Sequence, residues 1–255
     1  MLGLSAIVIA RNEEANIAAC LASISFADEI VVVDGASTDR TAAIAQAAGA
    51  RVIRTDDWPG FGAQKNRALS HATQPWVLSI DADERITPQL KEEIERAIAG
   101  DTSQCDAWDM PRKSSFCGQF IAHSGWYPDR VTRLFRRARG RFSDDFVHEK
   151  VLVDGRTGHL RSDLLHTTYP DLETMLQKLD RYSSASATAL YAAGARSSLG
   201  GALIRGLWAF VRTYLLRAGF LDGRMGLALA ISIAETTYYK YLKLWLLEKR
   251  SGRSV

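Results

Sequence analysis

The sequence predicts an α/β fold of the doubly wound type, in which a mostly parallel sheet carries helices on both faces. Within the first hundred residues, short apolar runs alternate with segments whose apolar residues recur at helical spacing. These runs do not alternate strictly between apolar and polar residues, which is typical of parallel strands that are buried on both sides. A chain of 255 residues accommodates one such domain together with a helical appendage.

The predicted elements follow one another regularly. The strands are LSAIVIA, EIVVVDGAS, RVIRT and WVLSIDADE, and the helices between them are ANIAACLASI, TDRTAAIAQAAGA and FGAQKNRALSHA. After Pro111 the pattern loosens, and the alternation around a Gly turn in VHEKVLVDGRTGHL predicts a β-hairpin. From Leu172 onward the sequence is typical of helices. We therefore expect an α/β domain over residues 1–165 and a helical region over residues 166–255.

The cysteines and the N-terminal sequence indicate a compartment. Cys20, Cys105 and Cys117 include no CxxC pair, so we expect free thiols in a reducing environment. The first residues lack a basic segment followed by a long apolar run, and this predicts neither a signal peptide nor an anchor. A cytoplasmic location is the resulting expectation.

The C-terminal region is basic and amphipathic. Residues 196–255 contain ten Lys and Arg against three acids, whereas the rest of the chain has more acids than bases. Such asymmetry predicts an anionic surface as a partner. The longest uncharged apolar run has ten residues, and a membrane span needs about 20. We expect amphipathic helices on a membrane surface, with packing on the domain as the alternative. Apolar residues recur at helical spacing at Leu203, Leu207, Phe210, Tyr214 and Leu215.

Polar residues follow three of the predicted strands at the points where the strands end. Asn12 and Glu13 follow the first strand, Asp34 and Gly35 end the second, and residues 81–84 end the fourth. Open α/β sheets bind ligands beyond the carboxyl ends of their strands. The sequence therefore predicts a ligand site at this edge of the sheet.

The stretch WVLSIDADERITP places three carboxylates within four residues, an arrangement that repulsion disfavours. Because residues i and i+2 of a strand point to the same side, Asp81 and Asp83 would face one point. Mg²⁺ and Mn²⁺ bind to one or two carboxylates together with substrate phosphates. We therefore predict a metal–diphosphate site. The alternative is a solvated turn before the helix near Thr87, and for Glu84 we expect only a contribution to that helix start.

Other phosphate-handling folds fit this sequence less well. Phosphatases of the haloacid dehalogenase type carry DxDx[TV] on their first strand, whereas here the DxD is on the fourth strand and Arg85 follows Glu84. No GxxxxGK[ST] loop is present and no GxGxxG follows the first strand, which argues against P-loop NTPases and dinucleotide dehydrogenases. The acidic body and the lack of a recognition helix or RNA-binding aromatic motif argue against a nucleic-acid partner.

Four blocks in fixed order, IVIARNEEANIAACLASI, EIVVVDGASTDRT, GFGAQKNRAL and WVLSIDADERITP, resemble glycosyltransferase family 2 over roughly the first 100 residues. The later segments GWYPDRVTRLFRR, VHEKVLVDG and GFLDGRMGLALA resemble the subgroup of bacterial lipopolysaccharide core β-1,4-glucosyltransferases. The resemblance implies a GT-A fold and an inverting, metal-assisted transfer from a UDP-sugar, with glucose as the expected sugar. It implies an anionic glycolipid acceptor at the cytoplasmic face of the inner membrane.

Three alternatives to this function stay open. One is transfer to another surface glycan, and a second is a membrane-surface protein that keeps the fold without the chemistry. A phosphate-ester hydrolase, with an aspartyl-phosphate at Asp81, is a third possibility.

The resemblance also implies roles for individual residues. Asp83 would bind a divalent metal, Mg²⁺ or Mn²⁺, which would stabilise the departing diphosphate. An inverting transfer needs a general base opposite the leaving group, and the resemblance implies Glu149, with His148 beside it and Asp145 in reserve. The implied nucleotide-sugar site comprises Ala10, Asn12, Glu13, Asp34, Lys65, Asn66, Asp81, Ala82 and Asp83.

The acceptor is expected to contact a group of basic and aromatic residues. Arginine suits phosphates and acidic sugars because its guanidinium donates in a fixed, planar pattern. Trp126 would stack on a sugar, and its alternative is core packing; for the arginines the alternative is a solvated surface. The expected acceptor contacts are Trp126, Arg130, Arg133 and Arg136.

Overall fold

The computed structural model describes residues 3–100, 105–143 and 149–251. It confirms the predicted α/β fold, with a sheet that is parallel around its first strands and helices on both of its faces. The three cysteines are free thiols, as predicted. None of the helices in the described ranges combines the length and the apolarity that crossing a membrane requires.

The chain forms two compact units. The first comprises Met1–Arg112 and Asp129–His166, and the second comprises Lys113–Pro128 and Thr167–Val255. The sequence suggested one boundary near residue 165 and gave no sign that Lys113–Pro128 belongs with the C-terminal helices.

The strands of the described residues form one large sheet and one small one. The main sheet has the order β3-β2-β1-β4-β8-β6-β12-β5, with β11 and β7 paired to β6. Pairing is parallel among β1, β2, β3 and β4, and β8 runs antiparallel to β4. The strands are β1 (Leu4–Ala10), β2 (Glu29–Gly35), β3 (Arg51–Thr55), β4 (Trp76–Asp81), β5 (Glu84–Ile86), β6 (Ala107–Phe116), β7 (Gln119–Phe120), β8 (Asp129–Arg136), β9 (Gly140–Phe142), β10 (Val151–Val153), β11 (Thr157–His159) and β12 (Leu164–Tyr169).

The helices correspond to the helical segments that the sequence predicts. The long C-terminal helices agree with the expectation that the chain is helical from Leu172 onward. They are α1 (Ile17–Ser23), α2 (Thr41–Ala47), α3 (Phe61–His71), α4 (Pro88–Ala99), α5 (Leu172–Ala192), α6 (Leu199–Val211) and α7 (Gly223–Ser251), with a π-helical turn (Arg212–Leu216) and a 3₁₀ helix (Gly219–Asp222) between α6 and α7.

Strand β1 is apolar at every position except Ser5, whose hydroxyl donates to Glu29 Oε2 at 2.6 Å. Ala6 and Val8 lie in a core with α1 and α4, while Ile7 and Ile9 lie in a second core with α3. Because successive strand residues point to opposite faces, a strand covered on both faces needs apolar residues on both. This arrangement leaves the carboxyl ends of β1, β2 and β4 as the place where polar groups gather.

The hairpin predicted for VHEKVLVDGRTGHL does not form among the described residues. β10 pairs with β9 in a separate two-stranded sheet, and β11 pairs in parallel with β6. The chain turns between them at Gly155, where φ is +145° and an added Cβ would fall 2.0 Å from Asp106 Oδ2. The backbone oxygen of Arg156 then accepts from the N–H groups of Asp106 and Ala107, and Arg156 N–H donates to Asp106 Oδ2. The prediction was wrong because these nonlocal partners bind the two halves separately.

Candidate active site

The loops that follow β1 and β2 are bound to each other. Asn12 has a left-handed backbone (φ +57°), which asparagine tolerates better than most residues. Its N–H donates to Ser37 Oγ at 2.9 Å, and its Oδ1 accepts from Thr38 N–H at 2.9 Å. Glu13 N–H donates to Thr41 Oγ1 at 2.7 Å. These bonds hold the end of β1 against the start of α2.

Asp34 lies buried at the end of β2, beside Ala10 of β1. Its Oδ2 accepts from Ser37 N–H at 3.3 Å, whereas its Oδ1 is buried without a hydrogen-bond partner in the described part of the chain. A buried acceptor without a donor is unfavourable. An added Cβ on Gly35 would lie 2.3 Å from the ring of Trp58, so this position has no room for a side chain. Asp34 therefore offers an oxygen that a ligand donor would satisfy.

Helix α3 places a buried lysine between two carboxylates. Lys65 Nζ lies 2.8 Å from Asp81 Oδ1 and 2.7 Å from Glu149 Oε1. One turn earlier, an added Cβ on Gly62 would fall 2.0 Å from the backbone oxygen of Ser143. The absence of a side chain at this position lets the chain on either side of residues 144–148 approach the helix closely.

Asn66, the next residue of α3, binds the backbone of β9. Asn66 Nδ2 donates to the backbone oxygen of Phe142 at 3.0 Å, and its Oδ1 accepts from Phe142 N–H at 2.9 Å. The side-chain amide thus binds the end of β9 in the manner of a neighbouring strand. The nucleotide contact expected of Asn66 stays a prediction, and the structure gives its amide a structural use.

A buried arginine joins the two acids that flank the DxD turn. Arg133 Nη2 lies 2.5 Å from Asp81 Oδ2 and 2.6 Å from Glu84 Oε1. Glu84 is fully buried, and its Oε2 accepts from Asp81 N–H at 3.0 Å. Arg112 Nη1 reaches Glu84 Oε1 at 3.5 Å, and its Nη2 lies 2.6 Å from Asp129 Oδ2. We call Lys65, Asp81, Glu84, Arg133 and Glu149 the ion network.

The ion network resolves the charge repulsion in the DxD stretch. Asp81 and Glu84 share Arg133, and Asp81 and Glu149 share Lys65. The cations that make the acidic stretch tolerable are therefore supplied by the protein itself. Glu84, expected only to favour the start of α4, is instead a central member of the network, and Thr87 caps that helix by accepting from Leu90 N–H.

The charges of the network set its protonation. Burial alone would raise the pKa of Asp81, but the adjacent Arg133 and Lys65 hold it well below its ordinary value. Burial would likewise lower the pKa of Arg133, and the carboxylates of Asp81 and Glu84 raise it instead. The network is therefore fully ionised near neutral pH at Asp81 and Arg133.

The second DxD carboxylate lies in a different setting. β4 ends at Asp81, so Ala82 and Asp83 form a turn, and the strand rule that would aim both acids at one point does not apply. Asp83 Oδ2 lies 3.3 Å from His166 Nε2. Arg85 fixes the turn from the other side, because its Nη1 donates to Ala82 O at 2.8 Å.

The residues around Asp83 fit a divalent cation that arrives with a diphosphate. No group of three or more His, Cys, Asp or Glu side chains forms a metal site within residues 3–100, 105–143 and 149–251. Asp83 and His166 together supply one carboxylate and one imidazole. Diphosphate oxygens and waters would complete the coordination, as is usual for Mg²⁺.

Two of the predicted acceptor residues lie at opposite ends of β8. Arg130 pairs with Asp109 near the start of the strand. Arg136 lies opposite Trp76, at the far end of β4 from the DxD turn, and its guanidinium lies 4.9 Å from the centroid of that ring. Arg130 and Arg136 are six positions apart on an extended strand, so the arginines of β8 spread along the sheet. They do not form the single acceptor patch that the sequence suggested.

Arg133 and Trp126 are also placed differently from the acceptor prediction. The guanidinium of Arg133 is buried and committed to two carboxylates, so its observed role is in the ion network. In the second unit, Trp126 packs in a cluster with Phe116 and Tyr169, at centroid distances of 6.2 and 6.1 Å. This is the core packing that was the alternative to sugar stacking.

Two of the three candidates for the general base, Asp145 and His148, lie outside the described residues. Glu149 is described, and its carboxylate is mostly buried beside Lys65. Glu149, the candidate that the structure describes, therefore lies near the DxD stretch, because Lys65 pairs with both Glu149 and Asp81.

Sequence reasoning missed two residues of the site, His166 and Arg112, and the buried role of Glu84. His166 reaches Asp83 because β12 pairs antiparallel with β5, with His166 opposite Glu84. Arg112 and the buried role of Glu84 depend in the same way on strands far apart in sequence. No local pattern in the sequence predicts such pairings. The histidine within the strand-like run LLHTTY is the signal that could have drawn attention to His166.

Comparison with known proteins identifies the family. The model of the family described as Glycosyl transferase family 2 matches residues 5–144, more than half of the chain. The chain belongs to glycosyl transferase family 2. Lipopolysaccharide core biosynthesis glycosyltransferase LpsC of Rhizobium meliloti is 30% identical to this family 2 member, over 94% of this chain and 93% of LpsC. An uncharacterized glycosyltransferase of Rickettsia typhi is 29% identical over 98% and 89% of the two chains.

The fold is also similar to that of a solved structure. The crystal structure of S. aureus TarS in complex with UDP-GlcNAc superposes with a TM-score of 0.50 at 16% identity, covering 98% of this chain and 91% of that chain. At this identity the likeness concerns the fold alone. Family membership makes the protein a glycosyltransferase and removes the phosphate-ester hydrolase from the alternatives.

Proposed function

We propose that this glycosyltransferase transfers a sugar, with glucose as the expected one, from a UDP-sugar to a lipopolysaccharide-core or similar glycolipid acceptor, with inversion at the anomeric carbon. The observation that carries the proposal is the position of Lys65, which is within hydrogen-bond distance of both Asp81 and Glu149. The residue predicted to contact the donor and the residue predicted to be the base are thus neighbours. The similarity to LpsC supports an acceptor in the lipopolysaccharide core.

The donor's nucleotide would lie at the ends of β1 and β2. The unpartnered Oδ1 of Asp34 suits a donor group on the uracil or the ribose, and its burial makes that bond strongly favourable. Asp81, held by two cations, would accept from a ribose or sugar hydroxyl. The proposed nucleotide-sugar contacts remain Ala10, Asn12, Glu13, Asp34, Lys65, Asn66, Asp81, Ala82 and Asp83.

Glu149 is the proposed general base. It would take the proton of the acceptor hydroxyl while that oxygen attacks the anomeric carbon and the bond from this carbon to the diphosphate breaks. Lys65 binds Glu149 Oε1 and so fixes the direction of the carboxylate. Asp145 and His148, outside the described residues, stay the alternatives for this role.

Asp83 is the proposed metal ligand. We propose His166 as a second ligand, because its Nε2 lies 3.3 Å from Asp83 Oδ2. A bound Mg²⁺ or Mn²⁺ would neutralise the charge that develops on the departing diphosphate.

Because the proposed acceptor is a glycolipid, the enzyme would act at a membrane surface. The proposed location is therefore peripheral, on the cytoplasmic face of the inner membrane, and the excess of basic residues in the C-terminal region supports it. Arg130 is the acceptor contact that we retain, because its guanidinium lies partly exposed near the start of β8.

A screen of nucleotide sugars tests the proposal. Binding to the folded state raises the melting temperature, so we expect a shift with one UDP-sugar in the presence of Mn²⁺, and UDP release once a truncated core acceptor is added. Asp34→Ala is expected to lose the shift, whereas Asp154→Ala, on an exposed aspartate that pairs with Arg139 and is not among the proposed site residues, is the matched control. A shift without transfer to any acceptor would favour the membrane-surface protein that lacks the chemistry. If transfer occurred only to a different glycan, that glycan would replace the lipopolysaccharide core as the proposed acceptor.

A further inference from the structure

Helix α6 buries its small residues and exposes its large apolar ones. Ala202, Gly206 and Ala209 face the protein, and an added Cβ on Gly206 would lie 3.0 Å from Tyr238 Cβ on α7. By contrast, Ile204 is 70% exposed and Leu207 is 65% exposed. A helix in water normally buries its large apolar residues, because removing apolar surface from water is favourable. The pattern of α6 is the reverse.

The same exposure continues beyond α6. Leu216, in the π-helical turn, is 66% exposed, and Leu221, in the 3₁₀ helix, is 60% exposed. An apolar surface of this extent on a protein marks an interaction site. We call this surface the apolar face, and its members are Leu199, Leu203, Ile204, Leu207, Trp208, Leu215, Leu216, Phe220 and Leu221.

Basic residues accompany the apolar face. Arg205 and Arg212 are exposed and seven positions apart, so they lie on one side of the helical segment. Arg217 and Arg224 follow, while the only acid of residues 196–224 is Asp222. Asp222 is buried, and its carboxylate accepts from the backbone N–H groups of residues 122 and 123. The charge available at this surface is therefore positive.

We infer that the apolar face inserts into the interfacial region of an anionic lipid bilayer. Large apolar side chains, a tryptophan and flanking arginines are the composition of helices that lie in the membrane interface. Inward-facing Ala and Gly let α6 approach α7 closely, so the large side chains remain for lipid. The inference rests on the proposed function for its purpose, because it brings the enzyme to the surface that holds a glycolipid acceptor.

The charge argues for lipid over a second copy of the chain. A two-fold symmetric pair would bring the same surface of both copies together and set the arginines of one copy near those of the other. An anionic bilayer attracts the same arginines. The bilayer therefore matches both the apolar and the basic parts of the surface.

Vesicle co-sedimentation of the full chain tests the inference without donor or acceptor, so that failure of lipid binding is distinct from failure of sugar transfer. We expect binding to vesicles of phosphatidylethanolamine and phosphatidylglycerol, and at least about tenfold weaker binding to phosphatidylcholine vesicles or in about 0.5 M salt. The variant Ile204→Glu/Leu207→Glu is expected to bind at least about tenfold more weakly. Leu172→Glu/Leu176→Glu, on exposed leucines of α5, is the matched control and should bind like the wild type.

Tryptophan fluorescence provides a second readout. Trp208 should shift to shorter wavelength on vesicle binding, and this shift should disappear in Trp208→Phe while sedimentation persists. The inference would be overturned if the α5 control lost binding equally, or if binding did not depend on lipid charge. It would also be overturned if light scattering showed that two copies pair through the apolar face while vesicles stay unbound. Melting curves of the variants separate these outcomes from unfolding, since the substituted side chains are exposed.

Discussion

Lys65 and Glu149, 84 positions apart in the sequence, form an ion pair of 2.7 Å in which the lysine is almost completely buried. The same ammonium binds Asp81 at the end of β4. A buried charge is tolerated only when opposite charges surround it. The pair therefore ties the geometry of the proposed base to that of the donor-binding turn.

Replacing Lys65 by methionine should reduce transfer by at least about a hundredfold, because Glu149 and Asp81 lose the group that fixes both. The free energy of unfolding should also fall, since a buried partner of two carboxylates is removed. Initial rates at saturating donor and urea unfolding measure the two effects. Lys91→Met, on an exposed lysine paired with Glu95, is the control. A rate within about threefold of wild type would remove Lys65 from the proposed function.

Arg133→Met should lower the free energy of unfolding by about 3–5 kcal/mol, because Glu84 is fully buried and Arg112, at 3.5 Å, would be the cation left beside it in the described residues. Arg139→Met removes the same type of residue from an exposed pair with Asp154 and should cost less than about 1 kcal/mol. Urea unfolding at pH 7 measures both. Equal losses for the two variants would contradict the buried network.

The low pKa of Asp81 predicts a pH dependence of stability. A carboxyl group whose pKa is depressed on folding contributes stability above its unfolded pKa of about 3.9, and this contribution decreases as the pH falls below it. Asp81→Asn should therefore be less stable than wild type at pH 7, and the difference should narrow between about pH 5 and pH 3. Asp154→Asn, on an exposed carboxylate, is the control. A difference that is constant with pH would contradict ionic stabilisation of Asp81.

Asp83→Ala should abolish the Mn²⁺-dependent part of UDP-sugar binding, because its carboxylate is the proposed metal ligand. His166→Ala should weaken the same part, since His166 Nε2 lies 3.3 Å from Asp83 Oδ2. His159→Ala, on an exposed histidine paired with Asp109, is the matched control. Calorimetry with and without Mn²⁺ distinguishes the variants. If Asp83→Ala bound the UDP-sugar with unchanged affinity in the presence of Mn²⁺, the assignment of Asp83 as the metal ligand would be contradicted.

The sequence predicts the first half of the fold well because that half depends on local patterns. The strand that ends in Asp34 and the helix that carries Lys65 are each recognisable from a single segment. The parallel order of the sheet then brings their polar residues to one edge, as the positions of Asn12, Asp34 and Asp81 show.

What the sequence does not predict depends on strands that pair across long separations. Arg133 was expected at the surface, and only the pairing of β8 with β4 places it beneath the DxD turn. The cation expected to neutralise Asp81 was a metal, whereas Lys65 and Arg133 already pair with it. Periodicity within a segment carries no information on such partners.

The variant Glu149→Gln tests the central claim most directly, because it keeps the shape of the side chain and removes its ability to accept a proton. Donor binding is measured by calorimetry with the UDP-sugar and Mn²⁺, and transfer by release of UDP in the presence of acceptor. We predict donor affinity within about threefold of wild type and transfer reduced by at least about a hundredfold. Near-normal transfer would contradict the account and move the base to Asp145 or His148.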